Sequence, residues 1–110
     1  MTDMQDQFEE FLPALSPELL ARAYRIPGEV AWTRADAIAA IDGLEKAGWR
    51  ILGVEVWLPT LPGPTMTGWW WDCERVWGPQ TAQDYVRTFQ WGADDPISLK
   101  EAEPFFNLTV

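Results

Sequence analysis

At 110 residues the chain has the length of one domain with a core of its own, read here as a single unit over residues 1–110. Its net charge of −9 argues against nucleic acid and anionic lipid as ligands, because both are bound by lysine and arginine that displace counterions, and points to a basic partner. One cysteine closes no internal disulfide, the absence of histidine removes the usual general base and the commonest metal ligand, and no stretch approaches the roughly 20 apolar residues of a membrane span.

These totals predict a soluble, cytoplasmic protein without a cofactor. The start, MTDMQDQFEEF, is acidic where a secretory signal is basic. The acidity gathers at the two ends, in Asp3, Asp6, Glu9, Glu10 and Glu18, and in Asp94, Asp95, Glu101 and Glu103, with Lys100 as the one opposing charge of the second group. Solvated termini that maintain solubility are one reading of this, and attraction of a basic partner is the other.

In chain order, residues 1–15 form an arm or short helix: Phe8, Phe11, Leu12 and Leu15 recur at helical spacing, but Pro13 re-aims the segment. Ser16-Pro17-Glu18 begins a helix that runs to about Tyr24 and stops at Pro27-Gly28. Thr33 with Asp36 predicts a capping box. The helix it opens places Ala37, Ile38, Ile41 and Leu44 on one face and ends at Gly48. Trp49 to Leu58 reads as a strand with Leu52, Val54, Val56 and Leu58 on an apolar side, and Ile51, Gly53, Glu55 and Trp57 on a mixed one.

A proline-rich loop over 59–67 leads to a second strand from Gly68 to Trp77, which should pair antiparallel with the first. Its pleat sends Trp69, Trp71, Cys73 and Arg75 to one side and Trp70, Asp72, Glu74 and Val76 to the other. Thr81 and Asp84 predict another capping box, opening a helix with Ala82, Tyr85, Val86 and Phe89 on its apolar face and a stop near Gly92. The tail over 97–110 ends in FFNLTV, whose alternation predicts a last strand. The expected architecture is α+β: a small antiparallel sheet with amphipathic helices on one face, or on both.

The apolar side of the first strand must be covered, and Trp69, Trp71 and Cys73 are the matching inward set. That leaves Glu55, Trp57, Trp70, Asp72 and Glu74 on the far side as candidate partner-binding residues, with the indoles as anchors and the acids meeting lysine or arginine. The competing reading has the arm or the last strand covering this side and burying both indoles. Cys73 reads as a buried thiol. Asp72 and Glu74, two apart beside tryptophans, admit a carbohydrate-binding protein or small glycoside hydrolase as an alternative, and a subunit of a permanent complex as another.

TRADAIAAIDGLEKAGWRILGVEVW, followed by a loop, GWWWDCE and a helix containing DYV, resembles the immunity protein 40 family of bacterial polymorphic toxin systems over about residues 30–90. Val54, Glu55 and Trp57 stand where that pattern carries a second glycine and an aspartate before an aromatic. The resemblance implies an α+β protein, encoded beside a secreted toxin, that binds and neutralises the toxin in the producing cell and is not itself an enzyme.

Overall fold

A computed structural model describes residues 12–26, 29–58, 60, 65–73, 81–95 and 101–110. After a 3-10 turn at Leu12–Ala14, the elements are α1 (Pro17–Arg22), β1 (Tyr24–Ile26), β2 (Glu29–Thr33), α2 (Arg34–Lys46), β3 (Gly53–Leu58), β4 (Thr65–Asp72), α3 (Ala82–Thr88) and β5 (Phe105–Thr109). The five strands form one antiparallel sheet in the order β1-β2-β5-β3-β4. The last strand is thus seated in the middle, where both its edges are paired.

Alternation assigns the two faces. Val30, Trp32, Val54, Val56, Phe106 and Leu108 point to the helix layer and join Ala37, Ala40, Ile41, Leu44, Ala82 and Val86 in one buried cluster. The helices of the described residues therefore pack on a single face, and the fold is α+β. The other face carries Ala31, Glu55 and Asn107, which stand side by side in register across β2, β5 and β3.

Local chemistry accounts for most element ends. The Ser16 hydroxyl accepts from the Leu19 amide at 3.3 Å, with Pro17 in the first turn. Gly48 takes φ +93°, letting Trp49 N–H close back on the Leu44 carbonyl at 2.9 Å. Thr81 and Asp84 form both bonds of the predicted capping box. Arg34 then ties two helices together, donating to the Val86 and Arg87 carbonyls at 3.0 Å each, where the end of α3 has spare acceptors, while its guanidinium lies 5.7 Å from the Phe106 ring centre.

Several expectations are corrected. The first helix stops at Arg22 rather than Tyr24, because Tyr24–Ile26 and Glu29–Thr33 pair as two strands either side of Pro27-Gly28, which lie outside the described residues. Thr33 is the N-cap of α2 by backbone conformation but makes no side-chain cap bond. Asp36, expected to reach back to it, instead accepts from Arg22 Nε at 2.9 Å, since an ion pair joining α1 to α2 competes for the same carboxylate. β3 begins at Gly53, not Trp49, and α3 ends at Thr88, short of Gly92.

β4 begins at Thr65, inside the expected loop, and carries a bulge. Glu55 faces Trp70 while Trp57 faces Met66, so Thr67, Gly68 and Trp69 stand opposite Val56. Gly68 takes φ +85° within it, a conformation that disfavours a side chain. Thr67 Oγ1 seals the interruption, donating to the Val56 carbonyl at 2.9 Å and accepting from Trp69 N–H at 3.2 Å. Two extra residues preserve parity, so the tryptophans beyond the bulge keep the sides that simple alternation assigns.

Candidate partner-binding face

On the sheet face away from the helices, the paired positions Asn107, Glu55 and Trp70 run across β5, β3 and β4, with Thr109, Gly53 and Asp72 in the next aligned row. Glu29, from β2, completes a concavity of about 510 Å³ lined by Glu29, Glu55, Trp70, Asp72, Asn107 and Thr109. Gly53 supplies part of its depth. A Cβ at that position would lie 3.3 Å from the Trp71 carbonyl, tighter than ordinary contact, so the floor stays at backbone level.

The expected site residues divide. Glu55, Trp70 and Asp72 come together around this concavity, and Trp70 is 61% exposed. Glu74 lies outside the described residues. Trp57 is not displayed, contrary to expectation: it is fully buried, its Nε1 donates to Glu55 Oε1 at 2.6 Å, and its ring meets Tyr24 edge-on at 6.4 Å. Tyr24 also packs edge-on against Phe105 at 6.0 Å. The last strand does help to cover this end of the face, but the cover stops short of Trp70.

The inward set is likewise corrected in part. Trp71 stacks on Tyr85 with centroids 5.6 Å apart, and both Trp71 and Cys73 pack against the core as half-buried residues. Trp69 points to the same side but remains 39% exposed, meeting Phe89 edge-on at 5.9 Å. The cause is position: β4 is an edge strand of the sheet, and the helix layer only partly overhangs it. Burial, followed by the charge of Asp72, pushes the Cys73 thiol up and holds it in its unreactive form. Burial also pushes the Tyr85 phenol up to about 12.

Glu29 was not singled out by the sequence. Its signal was the alternation Glu29, Ala31, Thr33 against Val30, Trp32, visible only once those residues are read as a strand. Burial, and then the neighbouring charge of Glu55, push its carboxyl above the ordinary value. Such a group holds its proton more tightly folded than unfolded, so stability falls as pH rises from the ordinary glutamate value through the raised one, and stays lower above it. Glu29→Gln is expected to raise the urea midpoint at pH 7 and to leave it unchanged in acid below both values, where wild-type Glu29 is already neutral. A lower midpoint at pH 7 would show instead that the carboxylate stabilises the fold.

Among the described residues no three His, Cys, Asp or Glu side chains are grouped to hold a metal ion, and no helix is long and apolar enough to cross a membrane. Comparison with protein-family models, curated proteins and solved structures finds no match to this chain.

Proposed function

We propose that this protein is a non-catalytic immunity protein, a cytoplasmic inhibitor that binds a basic toxin domain through the open face of its sheet. The observation that carries the reading is Trp70, 61% exposed at the wall of a concavity shared with Glu29, Glu55 and Asp72. A large rigid ring beside acids is poor core and good contact surface, since aromatic anchors supply affinity while charge supplies steering and register. The net charge of −9 extends that steering over the whole molecule. The resemblance over residues 30–90 to the immunity protein 40 family supports the same reading.

The test is capture of the product of the neighbouring toxin gene. Trp70→Ala is expected to weaken the complex by about 2 to 4 kcal/mol, and association of the wild-type pair should slow markedly as salt is raised, because charges beyond about 8 to 10 Å are screened at moderate ionic strength. Association that ignores both the substitution and the salt would reject this face as the contact. The exposed indole beside carboxylates also suits a sugar ring. A glycan that shifts tryptophan emission in wild type but not in Trp70→Ala would favour a carbohydrate-binding protein instead.

A further inference from the structure

We propose that the concavity between β2, β5, β3 and β4 is a receptor for one arginine side chain of the partner, its guanidinium lying against the Trp70 indole and between Glu29 and Glu55. The identity of the partner rests on the function proposed above; the receptor rests on the chemistry of the lining. That lining is rich in acceptors. Beside the carboxylates, Asn107 is 96% buried, its Nδ2 donates to the Val30 carbonyl at 2.9 Å, and its amide carbonyl adds an acceptor to the same side chain. Glu55 is oriented by the bond it accepts from Trp57 at 2.6 Å, and a carboxylate has further lone pairs for a second donor.

A ligand for such a site brings donors, positive charge and a flat surface for the ring. An anion is repelled by the acids, and an apolar group would take them out of water without offering a donor in return. A bare divalent ion is a poor fit, because the acids surround about 510 Å³ of space and, among the described residues, do not group closely enough to coordinate one. Guanidinium meets each demand: it offers five donors and no acceptor, matches carboxylates in a planar fork, and stacks on indole. An ammonium carries the charge without the fork or the plane. The proton affinity of Glu29, raised by burial and by Glu55, agrees, since a cation placed between two carboxylates relieves their repulsion.

The experiment uses the protein alone, titrated with N-acetyl-arginine methylamide and with the neutral isostere N-acetyl-citrulline methylamide, and followed by ¹H–¹⁵N NMR. The arginine compound should shift the Trp70 indole N–H and the backbone amides of Glu29, Glu55 and Asn107 saturably at millimolar concentration, and citrulline should leave them in place. Glu29→Gln and Trp70→Ala should each weaken arginine binding at least threefold; the same spectra establish that both variants remain folded. Equal shifts with citrulline, shifts confined to the acidic stretch around Asp94 and Asp95, or unchanged affinity in both variants would overturn the receptor. Arginine binding at this site without toxin capture would sink the inhibitor and leave the receptor standing. Toxin capture with a concavity indifferent to arginine would do the reverse.

Discussion

Trp57→Ala is expected to lower the unfolding free energy by about 3 to 5 kcal/mol, whereas Trp70→Ala, on the same sheet face, should stay within about 0.5 kcal/mol of wild type. The difference follows from their surroundings. Trp57 is fully buried and donates to Glu55, so truncation opens a void beside Tyr24 and removes a partner from a half-buried carboxylate. Trp70 is 61% exposed and leaves mostly solvent behind. Urea denaturation separates the two: the Trp57→Ala midpoint should drop with little change in slope, and the Trp70→Ala midpoint should hardly move. A Trp70→Ala cost comparable with that of Trp57→Ala would mean that the displayed ring is part of the core, and the proposed contact surface would be lost with it.

The second large effect is expected at Trp32. This ring is completely buried in the helix-facing cluster, and its Nε1 donates to the Leu19 carbonyl at 2.8 Å. Trp32→Phe keeps an aromatic ring but leaves the carbonyl without its donor, at about 1 to 3 kcal/mol, and adds the cost of the lost volume, for a total of about 2 to 4 kcal/mol. The loss should be felt first in α1, a six-residue helix with Leu19 as its one buried residue. Hydrogen exchange should therefore show the α1 amides losing more protection than those of β5, on top of a lower urea midpoint. Equal loss in both elements would place the hydrogen bond on a par with any other core contact.

Trp32 stands on β2, a strand not legible in the sequence, and the reason is physical. α2 and α3 announce themselves through periodic apolar residues and capping spacings, and FFNLTV alternates cleanly, so all three elements are present where expected, although α3 stops at Thr88 and the Thr33 hydroxyl caps nothing. Tyr24–Ile26 is too short to display a period, and with β1 unread Glu29 had no face to belong to. The parity of the tryptophan strand was readable, and with it the outward direction of Trp70 and Asp72. Exposure was not. Whether Trp57 is wet depends on Phe105 lying opposite it and Tyr24 reaching the same spot, which is a matter of β5 entering between β2 and β3 rather than of any local signal. Asp36 teaches the same lesson on a smaller scale: the capping spacing is present, but Arg22 from a separate helix takes the carboxylate.

The interruption in β4 has a consequence for life at high concentration. Thr-Met-Thr-Gly-Trp-Trp-Trp is uncharged, aromatic and at the rim of a sheet, a composition that invites identical chains to zip together into fibrils. With Thr67, Gly68 and Trp69 looped opposite Val56, the rim bends after its first few residues, and an incoming copy meets a broken template instead of a straight row of amides and carbonyls. The bulge thus leaves the Trp70 indole on show while denying a neighbouring strand a regular edge to pair with.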